Sequence, residues 1–344
     1  MTQRVLRALG LGVAALLLGF LALYGLTWLG ARQLPFDQLL ALAIDQYMSA
    51  LAIGAIYALI ALGYTMVYGI IELINFAHGD VFMVGAFVAY LVFTALGISG
   101  SVSNPVFLVL ALLAAFAVSM VALGILGVGI ERFAYRPLRN APRLAPLITA
   151  IGVSFILQNV VQVLISNSPV PTPQLISLQW RFDFLGASIA YINIIIIVIA
   201  VALMFALQVF VGTTKLGRAM RSTAQDREAA QLMGVDINLT IATTFFIGSA
   251  LAGAGGVVYG LFKGSIVFNL GFDAGLKAFT AAVLGGIGNT MGAALGGFLI
   301  GFIQVAAVVV GLSRWQQALV FAVLIVVLVF RPSGLLGQQL GERA

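Results

Sequence analysis

Stretches of about 20 mostly apolar residues recur along nearly the whole chain, and they limit what it can fold into. A helix of that length spans a bilayer, whereas a strand of a membrane barrel has about 10 residues with alternating faces. Of the 344 residues, 62% are hydrophobic and 8% are charged, too few charges to cover a soluble globule. We therefore predict an all-α integral membrane protein, a polytopic helical bundle.

Arginine-rich connections set the predicted orientation of this bundle. Residues 131–143 carry four arginines, and short basic loops remain on the cytoplasmic side of a membrane. The last apolar run, residues 315–330, ends at Arg331-Pro332, a basic anchor followed by a helix breaker. The runs between these anchors predict about ten transmembrane segments, with the N and C termini in the cytoplasm.

Two of these segments leave alternatives open. Residues 8–30 follow Arg4 and Arg7 and are longer than the roughly 7 to 15 residues of a signal-peptide core, so we favour an uncleaved first span over a signal peptide. Residues 278–288 follow an expected outer connection at 263–277. This glycine-rich piece either crosses the membrane or dips in and returns as a re-entrant segment.

The hydrophobicity falls between residues 68 and 80 without a true loop. The interpretation we favour is a cytosolic turn, in which Gly79 breaks the helix and Asp80 caps the next span. The alternative is a chain broken at membrane depth, which requires protein or a water-filled path to satisfy the freed backbone groups. In that case Asn75, His78 and Gly79 are candidates for the translocation path.

A polar segment at residues 211–240 interrupts the apolar pattern. Small apolar residues recur in it at intervals of three and four, which predicts a helix of about two to three turns with one charged side. Ser222 with Gln225, or Thr223 with Asp226, has the spacing of a capping box, and Gly234 stands where a helix ends. The charged residues, which exclude this segment from lipid, are Lys215, Arg218, Arg221, Asp226, Arg227, Glu228 and Asp236.

Small residues fall four apart on two predicted helices. Lipid does not drive helices together, so such stripes matter because they allow backbones to approach closely. We favour packing within the subunit over a seam to a second subunit or a gliding surface for gating. The stripes are Gly248, Ala252, Gly256 and Gly260, and then Gly288, Gly292 and Gly296.

The chain offers no catalytic, cofactor-binding or metal-binding pattern, so we do not expect an enzyme. It has no cysteine and one histidine, which excludes thiolate chemistry and multi-histidine metal sites. It lacks the G-x-x-x-x-G-K-[ST] phosphate loop, and its net charge of +6 comes from loop arginines mixed with acids rather than from a nucleic-acid-binding face. Acidic residues are scarce in the apolar runs, so any energy input is expected from a partner.

Five motifs resemble the branched-chain amino acid branch of the ATP-binding-cassette importer permeases. Glu228-Ala229-Ala230, followed by Gly234, is similar to the E-A-A-x-x-x-G cytoplasmic loop of these permeases. The resemblance covers roughly residues 39–337. In chain order the motifs are ALGYTMVYG at 61–69, INFAHG at 74–79, GRAMR…AQD…LMGV within 217–235, LKAFTAAVLGGIG at 276–288 and RPSGLLG at 331–337.

This resemblance implies a multi-pass permease subunit of the bacterial inner membrane. It pairs with a second permease chain, rests on two cytosolic ATPases that hold ATP and Mg, and receives substrate from an extracytoplasmic binding protein. The substrate class is branched-chain amino acids or related small amides. The implied domains are an N-terminal extension with the first span (1–38), the permease domain (39–337) and a cytoplasmic tail (338–344). The alternative is a self-sufficient channel or secondary carrier for a small polar solute.

The resemblance also implies roles within residues 211–240 as the ATPase-coupling loop. We expect polar contacts or salt bridges within the loop from some residues, close docking through two alanines, and a turn at the final glycine. These residues are Gly217, Arg218, Arg221, Asp226, Glu228, Ala229, Ala230 and Gly234.

Overall fold

The computed structural model describes residues 2–31, 33–139, 141–142, 144–177 and 180–337. The predicted tail 338–344 lies outside the described residues. In this part of the chain the helices are α1 (Thr2–Gly30), α2 (Phe36–Ile71), α3 (His78–Ala95), α4 (Pro105–Ile130), α5 (Leu144–Leu164), α6 (Tyr191–Thr213), α7 (Lys215–Gln225), α8 (Arg227–Leu232), α9 (Ile237–Lys263), α10 (Leu270–Gly285), α11 (Thr290–Val309) and α12 (Gln316–Phe330). Helix α4 continues into a π turn (Glu131–Tyr135) and a 3-10 turn (Arg136–Leu138), and a second 3-10 turn (Ser313–Trp315) precedes α12.

Eight described helices are long and apolar enough to cross a membrane, namely α2, α3, α4 with its continuation, α5, α6, α9, α11 and α12 with the 3-10 turn before it. The predicted polytopic bundle is therefore confirmed. Two further helices stand beside these eight: α1, with an apolar part at Leu17–Gly30, and α10, which has 16 residues. Since these two complete the predicted ten, the exact number of crossings stays a prediction.

Helices α2 and α9 form the centre of the bundle. In the most apolar window of α2, 89% of the residues are buried, and in α9 the share is 78%. The corresponding shares are 17% for α6 and 6% for α12, so these helices present their apolar side chains outward, as lipid-facing helices do.

The first glycine stripe lies where α9 meets α2 and α3. Gly248 faces the backbone of Gly63, and a Cβ added at Gly256 would lie 2.5 Å from the backbone nitrogen of Ala86. Ala252, between them, is fully buried. Only small residues allow so short an approach between backbones, so Gly248 and Gly256 pack α9 against helices of the same subunit.

The second stripe is divided between a helix contact and a turn. Gly292 and Gly296 of α11 lie directly against the α10 backbone at Gly285 and Ala281. Gly288 does not join this contact: it precedes α11, its φ is +90°, and nothing lies within 4 Å of a Cβ built on it. Its place in the packing stripe is therefore corrected to that of a turn glycine, since a positive φ suits glycine.

Helix α10 begins at residue 270, where we expected an outer connection, and not at 278. Asp273 and Lys277, both within the expected connection, are one helical turn apart and form an ion pair of 2.6 Å. The helix ends before Gly286, whose φ is +105°. Its last carbonyls, of Leu284 and Gly285, accept hydrogen bonds of 2.9 Å from the backbone of the C-terminal segment, at Leu335 and Leu336.

Two short antiparallel pairs of strands lie at one end of the bundle. Strand β1 (Val170–Pro171) pairs with β4 (Ser265–Ile266), and β2 (Arg181–Phe184) forms a hairpin with β3 (Ala187–Ala190). Beside the first pair, Gly260 of α9 accepts a hydrogen bond of 2.6 Å from the Thr172 hydroxyl. Helix α6 has 23 residues and separates the hairpin from α7, so the strands and α7 lie at opposite ends.

The first helix packs against the bundle. Leu23 of α1 is buried with Ala50 of α2 and Phe302 of α11. Thr27 donates a hydrogen bond of 2.7 Å to the side chain of Gln46. Helix α1 thus adds to a surface formed by α2 and α11.

Candidate functional site

Helices α7 and α8 form a polar surface at one end of the bundle, and α7 is anchored to the end of α6. The Thr214 hydroxyl caps α7 by accepting a hydrogen bond of 3.0 Å from the Gly217 amide, and it donates one of 2.8 Å to the Phe210 carbonyl. A Cβ added at Gly217 would lie 2.6 Å from that same carbonyl oxygen. The sharp turn from α6 into α7 therefore requires glycine at 217.

Two arginines of α7 bind the last carbonyls of α6. Arg218 donates to the Thr213 carbonyl at 3.4 Å, and Arg221 donates to the Val211 carbonyl. The end of a helix leaves such carbonyls without partners and favours cations near them. Neither arginine forms a salt bridge with a described residue, so the contacts are polar ones within the segment and not the ion pairs that we also considered.

The expected single helix of the polar segment is two helices, because Asp226 interrupts it. The backbone of Asp226 is extended, and its carboxylate accepts a hydrogen bond of 3.0 Å from the Ala229 amide, which makes it the cap of α8. A short acidic side chain competes for backbone donors in this way. The caps are thus Thr214 and Asp226, neither of the capping boxes that we considered, and the apolar stripe is divided: Met220 and Thr223 are buried whereas Met233 is exposed.

The two alanines of the E-A-A motif differ in exposure. Ala230 is buried within the subunit and is 4% exposed, whereas Ala229 and Glu228 are exposed. Successive helical residues point about 100° apart, so both alanines cannot face a partner, and the docking role expected of Ala230 is corrected to internal packing. Gly234 has a φ of +84° and forms the turn between α8 and α9.

A residue that the sequence did not single out for function, Arg227, connects α8 to the core. Its guanidinium donates a hydrogen bond of 2.6 Å to the carbonyl of Ile70, in the last turn of α2. In the sequence, Arg227 interrupts the apolar residues that recur at intervals of three and four. That interruption was the available signal, because a charge on the inner side of a helix needs a polar partner.

The sequence analysis also did not identify Leu232 and Met233 as surface residues. They are 88% and 85% exposed, beside the exposed Glu228. Large apolar side chains at the tip of a polar surface are typical of residues that a partner covers.

The chain between α2 and α3 returns into the bundle, contrary to the surface turn that we favoured. Helix α2 ends at Ile71, yet the His78 ring at the start of α3 lies against Gly63, about 12 Å back along α2. His78 is 1% exposed and its ring lies 4.7 Å from that of Tyr64. The chain therefore re-enters the bundle after α2 ends, and whether this break lies at membrane depth stays a prediction.

Gly79 and Asp80 both lie inside α3. Gly79 does not break the helix: a Cβ added there would lie 2.8 Å from the Cα of Gly275, so it permits contact with α10. Asp80 does not cap it: the carboxylate is fully buried and accepts hydrogen bonds from Ser154 and Gln158 of α5. A carboxylate held by two donors can remain inside the bundle, which its position after glycine did not reveal.

Asn75 lies beside a small groove that Tyr64, Tyr68 and Phe279 also line. Its side-chain oxygen accepts hydrogen bonds of 3.1 Å from the Ala77 amide and from the Tyr135 hydroxyl. His78 and Gly79 do not line this groove. The three residues are thus near one another but do not share a surface, and their role in translocation stays a prediction.

The arginine-rich connection lies at the same end as α7 and α8. Glu131 is fully buried and paired with Arg136 and Arg139, and Arg139 also donates a hydrogen bond of 2.6 Å to Asn238 at the start of α9. The network holds the connection between α4 and α5 against the segment that carries α8. In the described ranges no three histidine or carboxylate groups are placed to hold a metal ion.

Comparison with known proteins identifies the relatives of the chain. Residues 46–328 match the family described as the permease component of the branched-chain amino acid transport system. The chain is 45% identical over 298 residues to the high-affinity branched-chain amino acid transport system permease protein BraD of Pseudomonas aeruginosa, across 86% of this chain and 96% of that protein. It is 41% identical to the corresponding protein LivH of Escherichia coli K12, with the same coverage.

A more distant relative comes from an archaeon. The probable branched-chain amino acid transport permease protein LivH of Methanocaldococcus jannaschii is 27% identical over 303 residues, across 84% of this chain and 90% of that protein. No solved structure matches the chain. These relatives are transport permeases and not enzymes, and the match extends over most of the bundle. The chain therefore belongs to the family of permease components of branched-chain amino acid transport systems.

Proposed function

We propose that the chain is a membrane-spanning subunit of an ATP-binding-cassette importer that carries branched-chain amino acids or related small amides. The substrate class follows that named for the relatives. The observation that carries the proposal is the polar surface of α7 and α8, which is exposed on one side and attached to the bundle on the other. We place this surface in the cytoplasm, together with the arginine-rich connection and both termini.

A cytosolic ATPase drives the bundle through this surface. ATP and Mg bind to two ATPase subunits, and closure of these subunits displaces α7 and α8 as a unit. The displacement reaches α6 through Arg218 and Arg221, and it reaches α2 through the bond between Arg227 and Ile70. Because α2 is the most buried helix, its displacement changes the packing at the centre of the bundle.

Exposed groups at the tip of α8 form the docking contact. Leu232 and Met233 enter an apolar groove of the ATPase, and burial of each side chain contributes about 1.5 to 3 kcal/mol. Glu228, also exposed, supplies a charged contact at the edge of that groove. Ala229 permits close approach beside it.

Further partners complete the importer. A second permease chain faces this one in a heterodimer within the bacterial inner membrane. A binding protein delivers substrate at the opposite end, where the hairpin of β2 and β3 lies. The groove beside Asn75 belongs to the passage between the two permeases.

Transport by reconstituted vesicles tests the proposal. The permease pair with both ATPases and the binding protein should take up labelled leucine only when ATP is present, and the permease pair alone should not. Uptake without the ATPases would support a self-sufficient channel or carrier instead.

Glu228→Lys should abolish substrate-stimulated ATP hydrolysis while membrane insertion is unchanged, because it reverses an exposed charge. Normal stimulation would contradict the docking role.

A further inference from the structure

A cleft lies where the first residue of α8 meets the end of α2, the extension of α4 and the start of α9. Its cavity volume is about 160 Å³, and the cleft is partly open to solvent. Its floor is apolar and includes Tyr135, Leu138, Ile241 and Phe245. Its rim is charged and includes Glu72, Arg139 and Arg227.

The charged residues of the cleft belong to different elements of the proposed coupling. Glu72 follows directly on the last residue of α2, and Arg227 is the first residue of α8. Arg139 follows the turns that extend α4. A ligand in the cleft therefore contacts α8 and the core of the bundle at the same time.

Two rim residues of opposite charge, Glu72 and Arg227, can each bind a charged group of a ligand. The exposed Glu72 carboxylate has no ion-pair partner in the described part of the chain, and its backbone has a φ of +56°, which is uncommon for a residue other than glycine. Arg227 uses one nitrogen for the Ile70 carbonyl, and a guanidinium has further N–H groups for a second acceptor.

The network of Glu131, Arg136 and Arg139 beside the cleft has a net positive charge. Glu131, which also lines the cleft, has one negative charge and is fully buried, while two guanidinium groups, of Arg136 and Arg139, pair with it. An anion in the cleft thus meets Arg227 and the excess charge of this network, whereas a cation meets Glu72 at the mouth.

We propose that this cleft binds an α-amino acid zwitterion with an apolar side chain, taken from the cytosol. Its carboxylate binds Arg227, its ammonium group binds Glu72, and its side chain lies on the apolar floor. A bound ligand braces α8 against the end of α2 and opposes the displacement of α8 that follows ATPase closure. The imported amino acid then slows its own uptake from the product side, an effect that rests on the function proposed above.

Vesicles of the complete importer test the site when the lumen, equivalent to the cytosol, holds ATP together with unlabelled leucine or glycine. Internal leucine should slow the initial uptake of labelled leucine by about fivefold or more, a typical allosteric coupling. Internal glycine at the same concentration should slow it far less, since glycine has no side chain for the floor. Glu72→Gln should raise the internal leucine concentration for half-inhibition by about tenfold, the effect of losing one charge-assisted contact.

Two further variants complete the experiment. Asp37→Asn removes an exposed carboxylate from the opposite end of α2 and should keep the half-inhibition of the unmodified importer. Leu138→Asn should reduce the difference between leucine and glycine, and it provides a second measurement should Glu72→Gln be poorly produced.

The outcomes separate this site from the function on which it rests. Absence of ATP-dependent leucine uptake by the unmodified importer would overturn the proposed function itself. Active uptake that internal leucine leaves unchanged would overturn only the cleft. Equal inhibition by glycine and leucine, or unaltered half-inhibition in Glu72→Gln, would overturn it as well, because the inhibition would then arise in the translocation passage.

Discussion

Packing differs between two regions: the contact of α2, α3 and α9 at the centre of the bundle, here called the seam, and the surface of α7 and α8. In the seam, glycines bring backbones into direct contact, as at Gly256 and Ala86. On the surface, large apolar side chains such as Leu232 are almost fully exposed, and the hydrogen bond from Arg227 to Ile70 attaches α8 to the core. A change in the seam should therefore alter stability, whereas a change on the surface should alter coupling.

The largest effect is expected from Gly256→Leu in the seam. The new side chain would meet the backbones of Phe82 and Ala86, which cannot yield as a flexible side chain would, so destabilisation of about 3 kcal/mol or more is expected. The yield of monodisperse protein and its thermal transition in detergent measure the effect. Gly152→Leu is the matched control, because nothing lies within 4 Å of a Cβ at this position; equal losses in both would refute the close-packing account.

Gly234→Pro should abolish coupling with little effect on the bundle. Proline fixes φ near −65°, whereas residue 234 has a φ of +84°, so the turn from α8 to α9 must change. Substrate-stimulated ATP hydrolysis should fall by about tenfold or more. Gly234→Asn, which tolerates a positive φ, should retain most of it. If the proline variant coupled normally, the position of α8 would not affect the coupling of ATP hydrolysis to transport.

A double change at the tip of α8, Leu232→Ser with Met233→Ser, should weaken binding of the ATPase by about 10- to 100-fold. The reason is the loss of apolar surface at the proposed contact, since both side chains are more than four-fifths exposed in the permease. Titration of the purified ATPase onto the permease pair in nanodiscs measures the affinity. Leu239→Ser, also exposed but on α9, is the control, and a similar loss there would show that the tip is not special.

The smallest effect is expected at the cap of α7. Thr214→Ala removes the bond to the Gly217 amide and should destabilise α7 by about 1 kcal/mol. Amide hydrogen exchange within residues 215–225 should increase accordingly. The adjacent Thr213→Ala leaves that cap intact and should change exchange less; identical exchange in the two variants would mean that the cap contributes nothing.

Local sequence signals predicted most of the helices and several of the ends. The polar segment, the turn at Gly234 and the stripe of small residues on α9 were all recognised correctly in place. The errors came from residues that can either cap a helix or lie inside one. Asp226 begins a second helix although it could have stood inside one, and Asp80 is buried although acidic residues after glycine commonly cap helices.

The site was predictable as a segment and not as a surface. The motif located residues 217–234, but Ala230 faces inward and Leu232 outward, which depends on where α8 rests on α9. Arg227 could not be assigned a role, because Ile70 is distant in sequence and offers only a backbone carbonyl. The cleft likewise combines residues from α2, the α4 extension, α8 and α9.

The amino-acid order alone determined that this chain crosses a membrane repeatedly, where its charges are concentrated and which residues allow close helix contact. These properties depend on neighbours a few residues apart, through hydrophobicity, helical spacing and the backbone preferences of glycine and proline. Tertiary packing alone decided which backbones meet, why the chain returns into the bundle before His78, and which side chains line the cleft. These features arise from contacts between segments far apart in the chain, and no local pattern encodes such contacts.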